Sequence, residues 1–468
     1  MMPKNAARDM TVGAPMTHIV SFMIPLIFGL LFQQFYSMVD TVVVGKFLGV
    51  DALAGVGSTG SINFLVLGFA MGVCGGFAIP VAQKFGEKDF QGLRRFVGNM
   101  IWLGAAIGLA LTAATVLLCR DILLWMNTPE DVLTYAYDYI SVIFLGIPAL
   151  MLYNLLSGII RSLGDSGTPL FFLILSSLLN VALDLLFIVS FRMGVAGAAW
   201  ATLVSQLISG VGCLVFMIWR FPVLRLRGDD LQPRRYFMGR LLTMGIPMGI
   251  QYSITAIGSI LLQTAVNGLG SSAVAAVTAG SKVNAVCCCP MDAIGTTAAT
   301  FAGQNLGAGK PERVHEGVRS TTVLGVVYCV LILMVMALWG GNSAALFLDT
   351  RDQTAMEVIL PLSRRFLLVC IAFYIPLLFV NLLRFTIQGL GFSKLAVLAG
   401  VFEMVARGVF GLCLVPWLGF DAVCFANPAA WILADVFLFP AYFHCLKKAG
   451  YVPERPLLGK LRLRRVRA

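Results

Sequence analysis

Charge is what this chain lacks. Only 12% of its 468 residues are Asp, Glu, Lys or Arg, about half the share of an ordinary soluble domain. A chain this poor in charge does not clothe a water-facing surface, which excludes a soluble globular protein. Histidine is as scarce: His18, His315 and His444 are the only three, too dispersed for a metal or catalytic cluster. The eleven cysteines include no CxxC pair. The run Cys287–Cys289 points in three directions around a helix and offers no chelating face. These cysteines read as small apolar packing residues. Neither a nucleophile with its base nor a paired His/Asp motif stands at any membrane edge, so the chain is not expected to be an enzyme or to hold a cofactor.

What is present is apolar length. The chain is 59% hydrophobic, with a mean hydropathy of +0.87. Runs of ~20 apolar residues suit membrane-crossing helices, and twelve are expected, at 17–41, 52–76, 96–118, 133–157, 168–190, 195–218, 240–265, 274–300, 319–340, 359–387, 394–416 and 421–445. The fold class is therefore an all-α polytopic membrane protein. Met1–Met10 is polar and no convincing cleavage site follows, so no cleavable signal peptide is expected.

The net charge of +11 is not a nucleic-acid signal. Its basic residues sit in loops and the tail, where they orient helices in a bilayer. With the N-terminus inside, Lys4, Arg8, Lys84, Lys88, Arg94, Arg95, Arg161, Lys310, Arg313, Arg319 and Lys394 fall on the cytoplasmic side. Lys46, Arg120, Arg192 and Arg351 fall outside, and both termini are cytoplasmic. The tail, 447–468, ends LLGKLRLRRVRA. It either holds anionic lipid or is a disordered topology signal.

The chain repeats itself. A shift of 221 residues aligns Gly49 with Gly270, Asn63 with Asn284, Gln83 with Gln304 and Gly86 with Gly307. A slightly larger shift pairs Asn154 with Asn381. Each half has six spans, an even number, so both insert in the same sense. Two six-helix bundles related by a pseudo-two-fold along the membrane normal follow. The expected division is an N-lobe at 1–220, a charged cytoplasmic linker at 221–239, a C-lobe at 240–446 and the basic tail.

Two carboxylates lie inside apolar spans, Asp40 in the first and Asp184 in the fifth. Each costs about 2.5–3.5 kcal/mol at a helix centre. Asn180 is four residues before Asp184 and shares its helix face; Thr202 lies at a similar depth in the sixth span. Two acids in a low dielectric share a cation or take up a proton, and Asn and Thr oxygens suit a hard ion. The bland alternative is that each acid anchors a buried polar network. In the C-lobe the repeat places Glu403 near Asn180 and Arg407 near Asp184, an ion pair expected to be structural. Gln34, Tyr36, Asn154 and Gln251 are polar groups in apolar helices that either line the cleft between lobes or bond within the core. Asp292 either attracts a cationic compound or pairs with Lys282. Pro25 removes a backbone bond from the first span, giving a static kink or a bend coupled to Asp40.

PLIFGLLFQQFYSMVDTVVVGKFLG in the first span, the paired ends AQKFGEKDFQGLRR and AGQNLGAGKPERV, and RSLGDSGTP, QGLGFSK and GVAGAAWAT resemble the multidrug and toxic compound extrusion family over nearly the whole length. Within it the chain is most similar to the DinF-type branch, because NVALD puts an acid in the fifth span. The resemblance implies twelve helices in two lobes and a monomer in the bacterial cell membrane. It implies export of organic, often cationic compounds against an inward flow of H+ or Na+. It also implies that Asp40, Asn180, Asp184 and Thr202 form the cation-coupling site. A flippase for lipid or lipid-linked precursors is the alternative that a related fold allows.

Overall fold

The computed structural model describes residues 7–126, 128–347 and 355–452; most of the basic tail, together with Arg351, lies outside them. Every regular element among the described residues is helical. Among these residues ten helices are long and apolar enough to cross a membrane, and two bent pairs, each taken as one span, bring the number to twelve. In chain order they are α1 (Pro15–Leu48), α2 (Gly60–Gly86), α3 (Phe90–Leu117), α4 (Glu130–Leu145 with Ile147–Ser162), α5 (Gly167–Ser190) and α6 (Gly194–Arg220), then α7 (Arg235–Asn267), α8 (Ser271–Gly307), α9 (Pro311–Leu338), α10 (Glu357–Ala372 with Tyr374–Gly389), α11 (Ser393–Leu418) and α12 (Phe420–Lys448). The outer surface is apolar, with Trp417, Leu117 and Trp125 largely exposed, as a surface facing lipid requires.

The two halves repeat in detail. Gly49 and Gly270, each after the first helix of its half, have φ of 92° and 95°, a region only glycine enters without strain. The bent pairs α4 and α10 turn by 45° and 52°, beside Pro148 and Pro376, which remove a backbone donor at equivalent places. Both α5 and α11 relax into a π turn, at Leu185–Ser190 and Val409–Leu414.

The second span departs from expectation. It runs Gly60–Gly86, preceded by a separate helix Val50–Ser58, rather than 52–76. The short helix is as apolar as a span, so hydropathy does not separate the two. The helix also continues past 76 to Gly86, where Gln83 donates to the Gly389 carbonyl. Between the halves, Phe221–Arg234 is no loose tether. Asp230 is buried, pairs with Arg94 at 3.1 Å and accepts from the Arg227 amide. Trp102 Nε1 donates to the Leu231 carbonyl and Asn99 Oδ1 accepts from the Arg234 amide.

The lobes meet along α2 and α7. A Cβ on Gly76 would lie 2.5 Å from Gly245 Cα, and one on Gly72 2.6 Å from the Met248 carbonyl, so the glycines let the backbones touch. Towards one face the contact becomes reciprocal. Gln83 Nε2 donates to Gly389 O at 3.0 Å and Gln304 Nε2 to Ser162 O at 2.8 Å. Gly86 packs on the Gln304 carbonyl and Gly307 on the Gln83 carbonyl. This self-complementary seam is what a two-fold axis produces. Beyond Ser253 and Leu65, joined at 3.4 Å, each helix packs within its own lobe. Ile62 of α2 joins Ala136 and Ile140 of α4, and Gly258 and Leu261 of α7 face Met404 and Gly411 of α11.

Candidate cation-coupling site

The N-lobe site is built where α1, α5 and α6 converge. Gly29 of α1 lets Leu170 and Leu173 of α5 approach. Val43 and Val44 then pack with Tyr139, Ile188, Ala198 and Ala199. This apolar collar fixes Asp40, Asn180, Asp184 and Thr202. Asp184 is the last residue of the regular part of α5, and the π turn begins at Leu185. Such turns recur at functional sites because they re-aim side chains and loosen the backbone ladder.

Asn180 Nδ2 donates to Thr202 Oγ1 at 3.3 Å, and Thr202 Oγ1 donates to the Ala198 carbonyl at 3.2 Å. This leaves Asn180 Oδ1 with no partner. Both carboxylate oxygens of Asp184 and Oδ1 of Asp40 are also buried without a partner. Asp184 is fully buried. Four acceptor oxygens in this part of the N-lobe thus have no donor among the described residues, each costing about 1–3 kcal/mol if left so. Asp40 lies within electrostatic reach of Asp184, and Tyr139 within reach of both. An all-oxygen donor set carrying two carboxylates matches a proton or a hard cation such as Na+. Tyr139 escaped the sequence reading. Its signal was the tyrosine-rich run TYAYDY entering the fourth span, and only the packed collar puts it beside the acids.

The equivalent place in the C-lobe is furnished with the opposite charge. Glu403 pairs with Arg407 at 3.3 Å and also with Arg384 of α10. Arg407 Nε donates to Asn427 Oδ1 at 3.0 Å. The pair expected within one helix is therefore a triad across two. Arg384 was overlooked because its partner, Glu403, stands on the next helix rather than its own.

The other polar candidates scatter. Gln34 and Tyr36 are half-buried on α1. Asn154 donates to the Leu150 carbonyl of its own helix at 2.8 Å. Gln251 is buried and accepts from Gln388 at 2.6 Å, which turns it into the C-lobe rather than towards the N-lobe. Asp292 is exposed and its electrostatic neighbour is Arg384. Lys282 lies ten residues away, about 15 Å along α8, which precludes the pairing.

Known proteins bear on this geometry. The MatE family model matches residues 25–186 and again 247–412, once in each lobe. The probable multidrug resistance protein YpnP of Bacillus subtilis strain 168 is 30% identical over 422 residues, 88% of this chain and 91% of its own. The multidrug export protein MepA of Staphylococcus aureus strain MSSA476 is 21% identical over 401 residues, 85% and 88% of the two chains. A multidrug resistance MATE family transporter solved in an outward-facing conformation shares the fold, with a TM-score of 0.87 at 21% identity over 94% of this chain and 98% of that one. With one copy of the pattern in each lobe and a relative matched along nearly its whole length, this chain belongs to the MatE family.

Proposed function

We propose that this protein is a secondary active exporter of amphiphilic organic compounds, often cations, driven by protons or sodium ions entering through Asp40, Asn180, Asp184 and Thr202. The observation that carries the reading is the group of buried, partnerless oxygens in the N-lobe, a charge deficit that an entering cation cancels. The Glu403 triad supports the choice of lobe, because its two arginines outweigh its one carboxylate and leave the C-lobe position no need of a cation.

The face sealed by Gln83 and Gln304 carries Arg8, Lys84, Lys88, Lys310 and Arg313. A basic face is the cytoplasmic one by the positive-inside rule, which supports reading the termini as cytoplasmic and this arrangement as outward-facing. Cation binding at Asp40 and Asp184 removes the repulsion between them and favours a different seating of α1. Release of the compound outward is tied to that step, and the cation leaves inward once the lobes reverse. The protein works as a monomer in the bacterial cell membrane, its partners the lipid and the exported compound.

Purified protein in liposomes, given a proton gradient and a sodium gradient separately, tests this. Efflux of a fluorescent organic cation under one gradient alone names the ion. Failure of both gradients, with folded protein and several cationic and zwitterionic compounds tried, overturns the reading in favour of lipid flipping.

A further inference from the structure

The segment 7–14, before α1, is bound to both lobes at the face they seal. On the N-lobe side the Arg8 amide donates to the Leu163 carbonyl at 2.8 Å, and Gly164, with φ of 83°, packs against the Arg8 backbone where a side chain would collide. On the C-lobe side the Met10 amide donates to Gln304 Oε1 at 3.0 Å. The Met10 carbonyl accepts from Asn305 Nδ2 at 3.4 Å and from Arg313 Nη2 at 3.2 Å. Lys310 Nζ donates to Thr11 O at 2.9 Å and Arg313 Nη2 to Gly13 O at 3.0 Å. The Met10 side chain is fully buried in a small core with Ile19, Phe22, Ala293 and Phe301, drawn from both lobes.

This seat coincides with the seam between lobes. Gln304 accepts from Met10 through Oε1 while its Nε2 bonds Ser162 of the other lobe. One side chain therefore holds the segment and the seam together. Asp9 completes the crossing, lying within electrostatic reach of Lys88 from the N-lobe and Lys310 from the C-lobe. Among the described residues no segment straps Gln83, the partner of Gln304 in the repeat, in the same way, so residues 7–14 break the two-fold there.

We propose that residues 7–14 are a latch on the sealed face: the lobes part there only when the segment leaves its seat, so its occupancy sets the balance between the two arrangements. The hydrogen bonds cross from one lobe to the other through a single short segment, and separating the lobes breaks one set or the other. The latch adds a regulated element to the exporter reading, but its structural test needs neither gradient nor transported compound.

Hydrogen exchange of the full-length protein in nanodiscs, followed by mass spectrometry, reads it. Met10→Asp puts a charge in the apolar seat, and the double variant Lys310→Gln/Arg313→Gln removes donors while leaving that seat intact. Both are expected to speed exchange at 8–14, and also at 83–89 and 304–310, by about tenfold or more, the scale of one or two lost hydrogen bonds. Exchange that speeds up at 8–14 alone, or nowhere, overturns the latch. If Met10→Asp does not fold, the double variant decides.

Discussion

At the scale of single residues, Asp184 and Glu403 are buried acids with opposite surroundings. Asp184 has neither oxygen bonded, whereas Glu403 is held between two arginines. Replacing Asp40 or Asp184 by Asn keeps the shape and removes the charge, so both variants are expected to fold and to lose gradient-driven efflux. Full efflux by either variant in the liposome assay would remove that residue from the site. Glu403→Gln does the reverse: it strips the bonded counter-charge from Arg384 and Arg407, leaving Arg384 only Asp292 and Asp435 within electrostatic reach. Breaking a buried pair this way costs about 3–5 kcal/mol, so a marked fall in Tm in detergent is expected, and an unchanged Tm would mean the arginines are hydrated. Asp40 and Asp184 were legible from the sequence because an acid in an apolar run announces itself. Arg384 and Tyr139 were not, because their partners come from other helices.

At the scale of elements, helix ends decide most of what hydropathy leaves open. Asp89 caps α3, accepting from the Gly92 amide at 2.8 Å and pairing with Lys84 at 3.0 Å. That amide, followed by Lys84 and Arg95 acting against partial burial, holds its carboxyl below the usual 3.8. The folded value is depressed, so this stabilisation is complete above about pH 3.8 and is lost as the pH falls through the lower folded value. Asp89→Ala is expected to cost about 0.5–2 kcal/mol at neutral pH. Thermal melts of variant and parent should converge on acidification, and a pH-independent difference would argue against a capping role. The extra helix Val50–Ser58 and the π turns after Asp184 and Gly408 lie beyond what apolar periodicity encodes. They depend on which neighbouring groups donate to the freed carbonyls.

At the scale of the whole molecule, the pseudo-two-fold makes a quantitative demand. Gly86 and Gly307 each press on the carbonyl of the other lobe's glutamine. Gly86→Val and Gly307→Val should therefore weaken the seam to a similar degree. Loss of exchange protection at 83–89 and 304–310 of comparable size in both variants would bear this out; an effect in one alone would place the axis elsewhere. The seated linker makes a separate demand. Asp230→Ala removes a largely buried ion pair with Arg94, so Tm should fall while the ion dependence of efflux stays unchanged, since this contact lies away from Asp40 and Asp184.

The sequence by itself determined the membrane class, the twelve spans, the repeat and the two N-lobe acids. These follow from local terms: the cost of a charge in hydrocarbon, the length of an apolar run, and identical residues at a fixed shift. The tertiary structure alone decided which oxygens remain without partners, that Glu403 has two cations rather than one, that Gln251 turns into its own lobe, and that residues 7–14 cross the seam. Each of these depends on atoms brought together from more than a hundred residues apart or from different helices, and a pairing of that kind is settled by packing, which no run of neighbouring residues records.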